Sequence, residues 1–427
     1  MTTCDLVVER VEWDDVDDAL RVAMLHLGLA SRRPCPFFAP EYIDSYLKHN
    51  ERYDRRETEP FVLLVRRVND GRPGELIGAL PLKRIRNSDR GGYHQIEFVV
   101  ATEVDLPTPI AAPEHEVDVT EALVPVLAEL LRHSSAVHLI NQPEGAPLCA
   151  AVRAGVPWYT RVQEYPGMPI SGIAIRHASV ADYFSELSKR MRSNISRLGR
   201  RLAAEGEVEL LTSSDPASLD DLFTVYLDIE DRSWKRKTEA SLRRSTERLE
   251  MYETLFENSA AVGYHIDVIL LDGVPVAGLV SIRFGPTLFL METCYDERHA
   301  AFSPSNLLIL LSVDRAIRGG CRHMSLHGHF DYYKHRWLAE QVETCQIRLV
   351  RRGSSPDIRS VAGNVRRKFA GDDEEHGTPQ GQRENEAPVP QSAVAQLVEK
   401  LRASPDVERY DAPALAERLP FDMSSPT

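Results

Sequence analysis

The chain has 427 residues, 43% of them hydrophobic and 27% charged, and a formal net charge of −13. That length exceeds one small core and predicts two domains with appendages. No window comes near eighteen uninterrupted apolar residues, which argues against a membrane span, and the acidic excess disfavours DNA or broad nucleic-acid binding. The start, MTTCDLVVERVEWDD, turns acidic at once and lacks a basic region followed by an apolar one, against a secretory signal. The six cysteines are scattered with no CxxC pair, so the reading is a reducing cytoplasm without disulfides or structural zinc.

In chain order, DLVVERV reads as a strand, residues 14–29 as a helix and FFAPEYIDSYLKH as a second short helix. Strands follow at EPFVLLVRRV, ELIGALPLKRI and YHQIEFVVA, the first two joined by the turn NDGRPGE. A helix at 118–133 leads to the apolar strand AVHLIN, a short helix and WYTRVQEYP, then the turn-rich PGMPISG. The order then begins again. One helix is predicted over 180–204, then EVELLT, helices over 215–232 and 239–258, and three strands, GYHIDVILLD, VPVAGLVSIRF and TLFLMETCYD, with hairpin turns DGVP and FGPT between them. SPSNLLILLSVDRAIRGG reads as a helix with Ser303 as N-cap, Pro304 at its first position and a Gly-Gly stop. Strand HMSLH, a short helix in DYYKHRW and strand TCQIRLVRR close the second round. GDDEEHGTPQGQRENEAPVPQS (371–392) has almost nothing to bury and reads as a disordered linker, followed by the amphipathic SAVAQLVEKLRA and the short ERYDAPALAERL.

Four features carry chemistry. The start of the SPSNLLILL helix offers free N–H groups and the positive end of a dipole, an anion site or simply a capped helix. LSKRMRSNISRLGRRL (187–202) sets six cations on an amphipathic helix of an acidic protein, either a solvated face or a phosphate attractor. Glu292 lies inside the apolar FLMETCY and must be paired, point outward or act as a general base. In HMSLHGHFDYYKHRW (323–337), His323 and His327 share a strand face, and Asp331 and His335 lie one helical turn apart. A two-histidine, one-carboxylate metal site is one reading. A buried aromatic stripe of Phe330, Tyr333 and Trp337 with Lys334 beside it is the other, and no HExxH-type spacing favours the metal.

The basic helix, Ser233-Trp234, the strand pair through METCYDERHAAFSPSNLL and HGHFDYYKHRW together resemble the GNAT-fold acyltransferases related to the CelD cellulose-biosynthesis proteins, and more distantly the Fem peptidyltransferases. The marks are Ser303-Pro304-Ser305 before an apolar helix and Tyr333-Lys334 followed by Trp337, with FFAPEYIDSYL resembling the family's N-terminal half. The resemblance implies an α/β (α+β) fold of tandem GNAT-like domains, each a mixed, mostly antiparallel sheet flanked by helices. The bounds read 1–170 for the first domain, 171–352 for the second with donor and catalytic site, 353–392 for a linker and 393–427 for a helical tail. It implies an acyl-CoA co-substrate, no metal, no membrane partner, and direct attack on the acyl carbonyl by an amine or hydroxyl of a small-molecule or sugar acceptor. By resemblance, Glu292, Tyr333 and Lys334 are catalytic. Ser303, Ser305, Asn306 and Leu307, with Arg192 and Arg197 of the basic helix, take the donor phosphates, and Trp234, Tyr295, His327, Asp331 and Trp337 line the pocket. Two alternatives remain open: an aminoacyl-tRNA-dependent transferase of Fem type, and a non-catalytic GNAT-like binding module.

Overall fold

A computed structural model of the chain describes residues 6–54, 57–87, 93–100, 105–238, 240–258, 262–329, 332–352 and 390–423. The first half runs β1 (Leu6–Glu12), α1 (Asp18–Ala30), α2 (Pro40–Asp54), β2 (Glu57–Asn69), β3 (Arg72–Asn87), β4 (Tyr93–Phe98), β5 (Ile110–Ala111), α3 (Glu116–Glu129), β6 (Ala136–Pro143), α4 (Pro147–Ala154) and β7 (Thr160–Pro166). Asp17 starts α1 by accepting from the Leu20 N–H. Asp70 and Gly71, both at positive φ (51° and 73°), make the tight turn of the β2–β3 hairpin.

The second half runs β8 (Ile170–Ala174), α5 (Val180–Glu186), α6 (Lys189–Glu205), β9 (Val208–Ser213), α7 (Pro216–Asp231), α8 (Thr246–Glu257), β10 (Gly263–Leu271), β11 (Val274–Phe284) and β12 (Thr287–Tyr295). It continues through α9 (Ser305–Arg318), β13 (His323–His329), α10 (Tyr332–His335), β14 (Glu340–Val342) and β15 (Thr344–Arg351). The tail adds α11 (Gln391–Ala403), β16 (Glu408–Asp411) and α12 (Ala412–Arg418). Most of the linker reading over 371–392 lies outside the described residues.

Two sequence expectations change here. The single helix over 180–204 is two helices, because Ser188 caps a new one by accepting from the Met191 N–H. PGMPISG is no mere turn: its second half begins β8, where Ile170 and Ile173 are buried and pair with β13.

Two sheets of eight strands result. One has the order β1-β2-β3-β4-β6-β15-β7 with β5 beside β3, and the other β14-β8-β13-β12-β11-β10-β9-β16. Each contains an antiparallel meander that meets a parallel strand: β4 beside β6, and β12 beside β13. Each parallel strand is then flanked by a strand from the far side of the chain. β15, last of the second half, pairs β6 and β7, while β8 pairs β13. The halves are thus interlocked by β15, a strand of the second half that lies in the first half's sheet.

Alternation within strands follows the pleat. On β10, Ile266, Val268 and Leu270 join one apolar cluster, with Phe223 and Tyr226 of α7 and Tyr252 and Phe256 of α8. Ile269 and Leu271 join the other, with α5, α6 and α9. The first cluster continues into the first half through Phe37, Tyr42 and Phe98. α2 packs on α8 at this join, where Ser45 donates to the Met251 carbonyl (3.1 Å) and His49 lies 2.9 Å from Thr254 Oγ1.

Candidate active site

A parallel strand pair closes only as far as its ladder runs. β12 and β13 pair at Thr287–His323, Leu288–Met324 and Phe289–Ser325, and beyond those residues no ladder joins them. Both strands are irregular where they part. Met291 is an extra residue on β12, between Leu290 opposite Ser281 and Glu292 opposite Val280. On β13, residues 326–328 stand against one residue of β8, with His327 and Gly328 at φ 45° and 69°. Bulges re-aim side chains at such edges, and here Phe289 stands on one side of the parting and His327 on the other. Phe37 of the first half packs beside both, its ring centroid 6.2 Å from Phe289 and 6.0 Å from His327.

Glu292 is part-buried and paired. Arg248 of α8 donates to its Oε1 (2.7 Å), and Lys235 donates to its Oε2. Lys235 also lies 3.8 Å from Glu230, whose Oε2 accepts from the Leu242 N–H (2.8 Å) and from Ser241 (3.0 Å). Burial pushes the Glu230 carboxyl up, against the pull of Lys235. The question the sequence left open at Glu292 is answered geometrically: the carboxylate is ion-paired on both oxygens.

The start of α9 also differs from expectation. Ser303 is not its N-cap: it sits at φ 46°, ending a 3-10 turn over Glu297–Phe302, and Pro304 takes the cap position without a side-chain hydrogen bond. The turn is held by Asp296, which is fully buried and accepts from Arg232 (2.7 Å) and Arg298 (3.0 Å). Burial raises its carboxyl, but these guanidinium contacts outweigh that and hold it down at about 2. α6 packs beside this turn: Arg201 lies over the Phe302 ring at 5.3 Å, and Leu307 approaches Gly199. Arg197 is exposed and donates to Asn194, whereas Arg192 is spent on the carbonyls of Ser185 (2.6 Å) and Leu187 at the end of α5.

Asp331 and Phe330 lie outside the described residues. The aromatic stripe expected over 330–337 does not form. α10 is a single turn ending at His335, so helical spacing does not reach Trp337, and Tyr333 is 45% exposed while Trp337 is wholly buried. Trp337 belongs to the core beside Tyr183, whose hydroxyl donates to the Trp337 carbonyl (2.6 Å). Trp234 is 45% exposed on a 3-10 turn, and Tyr295 is half-buried at the end of β12. Lys334 donates to the His327 carbonyl. No three His, Cys, Asp or Glu side chains converge as metal ligands among the described residues.

One site residue carried no signal in the sequence. Asp105, from the segment after β4, reaches the bulge of β13, where it accepts from Ser325 Oγ (2.9 Å) and the Gly328 N–H (3.1 Å) and lies 3.2 Å from His327 Nδ1.

Doubled sheets of this kind, each with an antiparallel meander that meets a parallel strand, define a tandem GNAT-like fold. Residues 189–335 match the family described as acetyltransferase (GNAT) domain. Among solved structures, FemX is similar at 10% identity, over 79% of this chain and 96% of that one, with a TM-score of 0.55. A conserved protein of unknown function from Bacteroides thetaiotaomicron aligns over 81% of this chain and 100% of its own, at 10% identity and a TM-score of 0.49. A tandem GNAT protein from the clavulanic acid biosynthesis pathway aligns over 82% and 100%, at 14% identity and a TM-score of 0.41. No curated protein matches the sequence. No described helix is long and apolar enough to cross a membrane.

Proposed function

We propose that the chain is an acyltransferase of CelD-like type that moves an acyl group from acyl-CoA to an amine or hydroxyl of a small-molecule or sugar acceptor in a ternary complex. The observation that carries this reading is the parting of β12 and β13 after Phe289 and Ser325, with α9 following β12 in the chain. Such a gap accepts an extended thioester arm between strands, and the match of residues 189–335 to the acetyltransferase domain family supports it.

The donor phosphates take the turn Ser303–Leu307, where helix N–H groups favour anions, helped by Arg197 and Arg201 on the neighbouring α6. Arg192 has a lesser part, since its guanidinium ties down the end of α5. The acceptor lone pair attacks the thioester carbonyl carbon, and the carbon–sulfur bond breaks to release the CoA thiol. Tyr333 and Lys334, on the one-turn helix after β13, stabilise the oxyanion or the leaving thiolate. Glu292 organises the β12 wall through Lys235 and Arg248, with Trp234 and Tyr295 near the mouth.

A thermal-shift series with acetyl-CoA, longer acyl-CoAs, desulfo-CoA and an aminoacyl-tRNA tests the donor. A CoA ligand at a hundredfold excess over its Kd adds about 2.7 kcal/mol of stability. Stabilisation by CoA species alone supports the reading. Stabilisation by aminoacyl-tRNA alone replaces it with a Fem-type transfer, and binding without turnover of any acyl-CoA leaves a binding module.

A further inference from the structure

Asp105 belongs to the first half, 222 residues before His327, yet it is bonded into the β13 bulge of the second half's sheet. Its side chain is 8% exposed. Burial pushes its carboxyl up, but His327, the Gly328 N–H and Ser325 together hold it below the usual carboxylate range. The carboxylate accepts from His327 Nδ1–H, so a neutral ring carries its proton on Nδ1 and its lone pair on Nε2.

The backbone enforces the same orientation. His327 adopts φ 45°, a left-handed conformation that side-chain-bearing residues seldom hold unless their surroundings over-determine it. Those surroundings are named. Lys334 holds its carbonyl, Ser325 accepts from its N–H (3.1 Å), Asp105 holds its ring and Phe37 packs beside it. The His327 side chain keeps 28% of its surface exposed, so it is not sealed in the core. Glu292, the carboxylate first suspected of base catalysis, has both oxygens committed to cations.

We propose that His327 is the general base of the acyl transfer and that Asp105 is its positioning residue, so that the pair is completed across the two halves. This rests on the acyl-transfer reading above. As the acceptor nitrogen bonds to the carbonyl carbon, its proton passes to His327 Nε2. When the carbon–sulfur bond breaks, the electron pair leaves on sulfur and the imidazolium returns that proton to the thiolate. The imidazole ends neutral, and Asp105 stays ionised throughout, stabilising the imidazolium and fixing the tautomer.

Two measurements on the full chain test this. Thiol release from acetyl-CoA is followed with a panel of amino sugars, amino acids and hydroxylamine as acceptors, and selectively 15N-labelled histidine reports the tautomer, with H327Q assigning the signal. We expect H327Q to lower kcat about 10²- to 10⁴-fold with KM for acetyl-CoA within about twofold, and free imidazole to restore turnover to H327A. D105N, which keeps the side chain's shape, should lower kcat about tenfold or more and switch His327 from the Nδ1–H to the Nε2–H tautomer. Wild-type kcat in H327Q overturns the base assignment while leaving acyl transfer standing. An Nε2–H tautomer in the wild-type chain overturns the role of Asp105 whatever the turnover. A wild-type chain that releases no thiol with any acceptor removes the acyl-transfer reading and this inference with it.

Discussion

At Glu292 a carboxylate meets Lys235 and Arg248 inside the protein, and Lys235 also faces Glu230. Removing one member of such a set strands a buried charge, which costs about 3–5 kcal/mol. K235M should therefore lower unfolding stability by roughly that amount in a urea titration; a loss below about 1 kcal/mol would mean the network is solvated and weak. A second prediction concerns acid. Asp105, Asp296 and Asp267 all lie below the ordinary carboxyl range: burial opposes each, but His327, Arg298 and Arg315 respectively outweigh it. A depressed folded-state value gives stability that is fully present above the ordinary value near 3.8 and is lost as pH falls through the folded value, about 2 for Asp296. Urea midpoints should be level above about pH 5 and fall steeply below about pH 4; midpoints that hold level to pH 2 contradict this. Sequence flagged Glu292 as unusual, because a carboxylate stood in an apolar strand. It gave no route to the partners, which lie 57 and 44 residues away, nor to Asp105, because pairing across folds leaves no local spacing.

Among elements, the meanders, the hairpin turns and the amphipathic helices were legible, since each is written in a period of two or 3.6 or in a turn dipeptide. TCQIRLVRR was legible as a strand too, but a strand's pattern says which face is buried and not which sheet receives it. Its sheet is the first half's. There Cys345 on β15 lies with its sulfur 3.5 Å from that of Cys149 on α4. Burial pushes the Cys149 thiol up to about 12 and raises that of Cys345, so iodoacetamide at pH 8 should modify neither before unfolding. Rapid native labelling of both would show that β15 detaches. The tail is likewise more than an appendage. β16 pairs β9, and buried Glu209 binds Arg402 (3.0 Å) and Arg409 (2.9 Å), while Phe421 packs against Gly199 of α6. Deleting 390–427 uncovers an edge strand and an unpaired carboxylate. It should lower Tm by several degrees and promote self-association in light scattering, whereas an unchanged Tm would make the tail dispensable.

On the scale of the molecule, the doubling of the fold, first inferred from element order alone, is visible in two parallel pairs with ladders of three residue pairs each. The two copies have diverged in chemistry. The helix after β4 in the first half, α3, opens with Glu116 and Asp118 where the second half places a turn beside a basic helix. Two carboxylates at a helix start repel phosphate. The first half's gap is also tied across: Gln142 on β6 donates to the Pro107 carbonyl (2.8 Å), in the segment that carries Asp105. On the proposed reading, the first half lends Asp105 to the β13 bulge of the second half and binds no donor of its own. Calorimetric titration of the whole chain with acetyl-CoA measures this most directly. The account predicts one molecule bound per chain, with affinity reduced at least about tenfold when Arg197 and Arg201 are changed to Glu, a loss of about 1.4 kcal/mol. Two molecules per chain, or none at millimolar acetyl-CoA, would contradict it.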